Sequence, residues 1–275
     1  MFLPFLKPAA LATILLLIAG VATAQSRELR LCADPDNMPF SNIQQRGFEN
    51  RIAELVAADL GAHLTYVWQR MGRGFVREYL DKSQCDFVVG IPTNFRPLLT
   101  TRPYYRSTYV FVVPKREKRE KLKSISFDSP ELHGLKIAVQ VLDENYTPPG
   151  TALARRGLQS EIVGFDTTGK SAESIIRAVA QHQVDMAVVW GPLAGYFAKR
   201  YDGELKLLPV EPQVDPPGLP FTFSISMGVR KGNIALRDEL EHVLAERQQE
   251  IQKVLSEYGV PELPAGAPEG GSRGE

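Results

Sequence analysis

From residue 29 onward, apolar positions fall into two alternating rhythms. Residues 29–33 form a short apolar run that reads as a strand. Across 50–60 the apolar residues stand at 52, 55, 56 and 60, one stripe of a helix that Gly61 ends. Residues 63–68 alternate as a strand does, 75–81 carry a short helical pattern, and 87–90 form a buried-strand run. This β-α-β-α-β order predicts a parallel sheet with helices on its faces.

The rhythm breaks at 105–113, a long extended run ended by Pro114 and followed by the charged stretch 115–121, which reads as a solvated loop or a docking segment. Then it restarts. Strands are expected at 135–139, 161–163, 185–189 and 205–208, and helices from 151, over 172–181 and over 195–200. An alternating strand at 223–229 and a helical region at 236–258 close the pattern. The fold class is therefore α/β, with two parallel-core sheets joined by a two-segment hinge. The run at 105–113 is the outward crossing and the segment near 220–226 the return, which lets two lobes rotate while each keeps its own core. The expected layout is a first lobe over 25–106, a second over 107–222, and a return to the first over 223–261. Residues 262–275, rich in Pro, Gly and Glu, have little to bury and read as a disordered tail.

The N-terminus changes the picture of where this fold works. Lys7, an apolar run over 9–18 and then Ala22-Thr23-Ala24 form an export signal, residues 1–24, cleaved after Ala24. Its apolar core is short for a bilayer span, so no membrane insertion is expected after cleavage. The destination is an oxidising compartment. There Cys32 and Cys85, each on a predicted strand, either form a disulfide or remain two buried thiols. The 32 basic and 32 acidic residues balance, so no electrostatic footprint for nucleic acid appears. His63, His133, His182 and His242 are scattered without metal-ligand spacing, so no metal site and no cofactor are expected. No Gly-x-Ser-x-Gly elbow and no Cys-x-x-Cys-His haem motif occurs.

Several segments resemble the family 3 bacterial solute-binding proteins. They are Gly47-Phe48-Glu49-Asn50-Arg51-Ile52-Ala53, Asp86-Phe87-Val88-Val89-Gly90, Thr101-Arg102-Pro103-Tyr104-Tyr105, Leu132-His133-Gly134-Leu135-Lys136-Ile137-Ala138-Val139 and Met227-Gly228-Val229-Arg230-Lys231-Gly232. Five further segments resemble the quinoprotein dehydrogenase-associated, MoxJ/XoxJ-like branch of that family. These are Cys32-Ala33-Asp34-Pro35, Arg73-Gly74-Phe75-Val76-Arg77, Pro103-Tyr104-Tyr105-Arg106-Ser107, Tyr146-Thr147-Pro148-Pro149 and Trp190-Gly191-Pro192-Leu193-Ala194-Gly195-Tyr196. The resemblance implies a two-lobed periplasmic-binding-protein-like fold of type 2. It further implies a periplasmic, non-enzymatic and monomeric accessory to oxidation of methanol or a related alcohol. Its partners would be a pyrroloquinoline-quinone-dependent (PQQ-dependent) dehydrogenase and a c-type cytochrome. A transporter receptor for a small non-amino-acid solute is the alternative, and a periplasmic dehydratase on the same fold is a third reading. That last reading has only Asp34, Asp143 and Glu144 as candidate carboxylates.

Ligands of open α/β sheets sit off the carboxyl ends of the strands. That rule selects Asp34 and Phe40 after the first strand, Thr93 and Arg96 after the strand at 86–89, Tyr146 and Thr147 after the first strand of the second lobe, and Trp190 after the strand at 185–189. Tyr104 and Arg73 complete the expected ligand set. Arg96 suits a carboxylate, although its segment is shorter than in amino-acid binders, and a solvated surface role is open to it. Arg73, with Arg70 and Arg77, reads as a weak anion loop or a solvated helix start. Trp190 stands where amino-acid binders place an aspartate for the ligand ammonium; it offers an aromatic wall or simple packing. Thr147 is placed to cap a following helix and aim amides at an anion.

Overall fold

The structure is a computed structural model that describes residues 27–263, apart from 71, 73, 116–122, 143–144 and 202. The export signal, Arg73, most of the charged run, Asp143, Glu144 and the end of the tail lie outside the described residues. In chain order, the first part holds β1 (Arg27–Ala33), β2 (Asp36–Asn37), β3 (Ser41–Asn42), α1 (Phe48–Asp59), β4 (Ala62–Trp68), a single wide turn (Val76–Leu80), β5 (Phe87–Pro92), β6 (Leu99–Thr100) and β7 (Tyr105–Pro114). The middle part holds β8 (Ile137–Leu142), β9 (Asn145–Tyr146), α2 (Pro148–Arg155), β10 (Ile162–Asp166), α3 (Ser174–Ala180), β11 (Met186–Trp190), α4 (Gly191–Ala198), β12 (Leu205–Pro209), β13 (Val214–Asp215) and β14 (Leu219–Pro220). The return is β15 (Thr222–Val229), followed by α5 (Ile234–Glu246) and α6 (Gln248–Glu257).

Among the described residues one hydrogen-bonded path runs β10-β8-β11-β7-β15-β5-β1-β4. Its ends are the two parallel cores, β10-β8-β11 and β5-β1-β4. Its middle is antiparallel: β7 pairs with β15 over Thr222↔Thr108 to Ile225↔Tyr105. The hinge crossings are thus two strands zipped to each other. All ten residues of β7 are buried. Tyr109, Phe111 and Val113 enter a core with Phe127, Leu153 and Phe221, whereas Val110 and Val112 enter another with Ile175, Val179 and Leu193. This is the two-residue alternation of a strand covered on both faces.

The first lobe is asymmetric. Leu29, Leu31 and Ala33 of β1 face the large core under α1, α5 and α6, while Cys32 faces the other way. That second face is small, with Phe75, Leu80, Val88, Ile91 and Leu98 beneath one turn. Cys32 and Cys85 are joined there in a disulfide with Cα atoms 5.5 Å apart. A covalent link is placed where little apolar area is buried.

Two helices begin earlier than the sequence pattern suggests. Pro148 and Pro149 lie inside the first turn of α2, and Pro192 inside that of α4. Proline is tolerated there because first-turn amides have no intrahelical acceptor. The region 236–258 is two helices that meet at Arg247.

The C-terminal segment ties both lobes together. Tyr258 stacks on Tyr196 with ring centroids 5.7 Å apart, and Lys199 donates to the Glu257 carbonyl at 2.7 Å. Ser107 Oγ donates to the Pro261 carbonyl at 2.6 Å, and the Leu263 amide to that of Arg106 at 3.0 Å. The chain is therefore still held at Leu263, inside the stretch expected to be a tail. A Cβ on Gly195 would lie 1.8 Å from the Gly259 carbonyl oxygen, so α4 must carry glycine at that crossing.

Two outcomes follow from this packing. Gly195→Ala should lower stability by about 1–3 kcal/mol, because backbone must shift to admit the methyl; urea midpoints matching the parent would contradict that contact. Paired Cys32→Ala and Cys85→Ala substitutions should cost roughly 3–4 kcal/mol from the 53-residue loop that is released. Thiol titration of the unfolded, unreduced parent should detect no free thiol.

Candidate functional site

The loops at the carboxyl ends of the parallel strands converge between the two lobes. In the second lobe a single side chain organises them. Gln140, buried near the end of β8, accepts the Trp190 amide on Oε1 at 2.6 Å. Its Nε2 donates to Thr167 Oγ1 at 2.9 Å. Its backbone carbonyl accepts both the hydroxyl and the amide of Thr147. One residue so fixes the starts of α2 and α4 and the loop after β10.

This arrangement changes what the second lobe can bind. Thr147 is the residue before α2, but its hydroxyl turns to Gln140 rather than capping the helix, contrary to the expected capping role. Pro148 and Pro149 carry no amide hydrogens, and Thr151 donates back to the Thr147 carbonyl. At α4 the Trp190 amide is used by Gln140, and Pro192 has none to offer. Helix starts bind anions through free amides; here much of that donor set has been removed or consumed.

Trp190 is half-buried at the end of β11. Its ring meets Tyr109 edge-on at 5.3 Å and Phe223 at 5.8 Å, and it packs against the cores of both lobes. Burial raises the Tyr109 hydroxyl pKa, with Thr147 hydrogen-bonded to it opposing the shift. Tyr146 is exposed beside this wall's loop, and its ring lies against Gly150, where a Cβ would come within 2.8 Å.

In the first lobe, Phe40 packs on Phe48 with centroids 5.3 Å apart and reaches the core of the second lobe as well. Its loop is held by α1, since the Phe48 and Glu49 amides donate to the carbonyls of Pro39 and Phe40 at 2.9 Å. Asp34 accepts the Asp36 amide at 2.9 Å and thereby closes its own turn. Thr93 donates to the Ser224 carbonyl at 3.0 Å and shares a 2.7 Å hydrogen bond with Ser226, so its hydroxyl is held by β15. Arg96 is exposed on the turn that Thr93 anchors. Tyr104 is buried next to Tyr105 at the start of β7; burial holds its hydroxyl well above the usual phenol range, with Tyr105 and Glu49 adding to the shift. The structure thus groups Trp190, Tyr146 and Thr147 around Gln140, sets Thr93 and Arg96 beside β15, and leaves Asp34 and Phe40 on the loop between the lobes. Across the cleft, Thr168 holds Asp166 below the ordinary carboxylate range, and Arg70 of the first lobe adds a weaker attraction.

Two residues of this site were not anticipated. Gln140 stands in an apolar strand run, a signal that was available. Glu49 gave none, because an acidic residue in a first helical turn normally faces water. Here it is buried, with its carboxyl lying where a Cβ on Gly90 would come within 2.0 Å of Oε1. Gly90 has φ +81°, and Val89 and Gly90 of β5 oppose only Met227 of β15. That bulge makes the room. Burial, with the Asp34 charge adding to it, pushes the Glu49 carboxyl up to about 8. Among the described residues, no group of three or more His, Cys, Asp or Glu could hold a metal ion, and no helix is long and apolar enough to cross a membrane.

The model of the bacterial extracellular solute-binding proteins, family 3, matches residues 29–260. Protein MoxJ of Paracoccus denitrificans is 30% identical over 91% of this chain and 94% of its own length. The crystal structure of MxaJ from Methlophaga aminisulfidivorans MPT superposes with a TM-score of 0.72 at 28% identity, covering 86% of this chain and all of that one. The periplasmic binding protein XoxJ from Methylobacterium extorquens AM1 gives 0.68 at 37% identity, over 86% of this chain and 99% of its own.

Glu49 sets a pH dependence. The folded state holds the proton more tightly than the unfolded chain, so this carboxyl's contribution is full at low pH. It falls between about 4.5 and about 8 and is lost above that. Relative to the parent, Glu49→Gln should gain about 1.4 kcal/mol per pH unit across that window. Urea unfolding at stepped pH measures it; a constant difference would place an ionised carboxylate in the fold.

Proposed function

The chain belongs to the bacterial extracellular solute-binding proteins of family 3, and from that premise we propose that it is a periplasmic accessory of a PQQ-dependent methanol or alcohol dehydrogenase system. It acts by binding a partner or a small ligand in the interlobe cleft. The observation that carries this reading is the likeness to MoxJ over nearly the whole of both chains. The chemistry of the second lobe supports it. Trp190 takes the position of the ammonium-binding aspartate, and the prolines of α2 and α4 remove amides that a carboxylate would use. The cleft is therefore poorly suited to an ordinary amino acid.

On this reading the protein is a binding protein and a monomer. The dehydrogenase, with its c-type cytochrome as a further candidate, is its partner. A transporter receptor for a small non-amino-acid solute is the second reading, favoured by the exposed Arg96 on a turn hydrogen-bonded to β15 through Thr93.

Tagged protein recovered from the periplasm of the organism that encodes it should carry the quinoprotein dehydrogenase in near-stoichiometric amount. Recovery of the chain without the dehydrogenase, together with a saturable rise in melting temperature on addition of a solute, would favour the transporter reading instead.

A further inference from the structure

Besides the hinge strands, the two lobes touch through a continuous chain of aromatic rings. Tyr196 of α4, in the second lobe, stacks on Tyr258 with centroids 5.7 Å and planes 17° apart. Tyr258 meets Phe48 of α1 edge-on at 5.8 Å, and Phe48 meets Phe40 at 5.3 Å. Phe40 then packs against the second-lobe core that holds Ile175, Val189 and Leu193. Tyr196 lies against that same core, so the chain of rings leaves the second lobe and returns to it. Every member is a side chain of the protein.

Polar and backbone contacts fix this chain in place. The Tyr258 hydroxyl donates to the Arg46 carbonyl at 2.6 Å, and the Arg51 guanidinium stands 5.9 Å from the Tyr258 ring centroid. Lys199 of the second lobe donates to the Glu257 carbonyl at 2.7 Å. Where α4 crosses the C-terminal segment, a Cβ on Gly195 would lie 1.8 Å from the Gly259 carbonyl oxygen, and one on Gly259 would lie 2.9 Å from that of Gly195. Two backbones so close cannot slide past each other. On the loop that carries Phe40, Met38 packs against the same second-lobe core, and a Cβ on Gly169 would come 2.9 Å from the Asp36 carboxylate. Rotation of the lobes about β7 and β15 must therefore break ring contacts and uncover apolar surface before the cleft opens.

A ligand closes a two-lobed receptor only by binding the closed state more tightly than the open one. Here protein groups already supply that preference. We propose that Tyr196, Tyr258, Phe48 and Phe40 form an aromatic clamp that holds the lobes closed without a bound solute. Opening, rather than closure, is then the step that needs an outside contact. Because α4 starts directly after Trp190, the clamp also fixes the position of that ring. The inference goes beyond the proposed role and does not depend on whether a dehydrogenase or a transporter is the partner.

Double electron–electron resonance on the mature, disulfide-bonded protein tests it, after dialysis to remove any bound solute. Spin labels are placed at His63→Cys in the first lobe and Gln183→Cys in the second, both exposed sites outside the clamp. The parent should give one dominant interlobe distance. Tyr196→Ala and Tyr258→Ala should each raise the share of a second, open distance by about tenfold, the scale of one well-packed ring contact and its buried area. Tyr258→Phe, which keeps the ring and loses only the bond to Arg46, should stay close to the parent. Both tyrosines are half-buried, and parent-like melting of each variant separates opening from unfolding. Small-angle scattering of Tyr196→Ala, which leaves the C-terminal segment intact, should show a larger radius of gyration than the parent. The proposal is overturned if the solute-free parent already populates two distances in comparable amounts. It is equally overturned if both alanine variants keep the parent's distance distribution and radius of gyration.

Discussion

The antiparallel pairing of β7 with β15 is the constraint on which the rest of the molecule depends. Each strand changes partners partway along. β7 leaves β15 after Thr108 and continues against β11 and β12, while β15 leaves β7 after Ile225 and continues against β5. Through that pairing two parallel sheets become one surface. At the crossing several buried residues are polar: Arg106, Ser107, Thr108, Thr222 and Ser224. Thr108 donates to the Phe221 carbonyl at 3.1 Å, so its hydroxyl is satisfied inside the protein. A slip of one residue would exchange the two faces of β7 and misplace both cores. Register here therefore sets the angle at which the cleft walls face each other.

Much of this was legible in the order of elements. Strand runs and helical stripes appear where expected, because burial on one or two faces writes itself directly into apolar spacing. The parts that escaped are those in which backbone chemistry outweighs hydropathy. Pro148, Pro149 and Pro192 read as loop residues, yet a first helical turn accepts them at no loss of hydrogen bonding. Glu49, in the first turn of α1, carries no local mark of burial. Its burial depends on a bulge at Gly90 in a different strand, a relation that no local window contains. The candidate site was readable as a set of loops, but not as a circuit. Nothing in the sequence says that Thr147, Thr167 and Trp190 all bond to Gln140.

That circuit alters the meaning of the second lobe. In isolation, two helix starts aimed at a cleft suggest an anion site. Here proline replaces first-turn donors at both starts, and the aromatic ring of Trp190 stands beside them. The first lobe follows a different rule, with its charged and hydroxyl groups held on turns that β15 and α1 fix. The two halves of the fold thus present different chemistry, and one scaffold can host unrelated binding roles.

The prolines at the starts of α2 and α4 have a kinetic consequence. Each ring removes a backbone rotation, so the loops bordering Trp190 have little conformational freedom left to lose. On the proposed reading, a ligand or partner arriving at this wall would have few loop rotations to order. Capture should then be governed by diffusion and orientation rather than by loop ordering, and differences between competing molecules should lie mainly in how long each one stays.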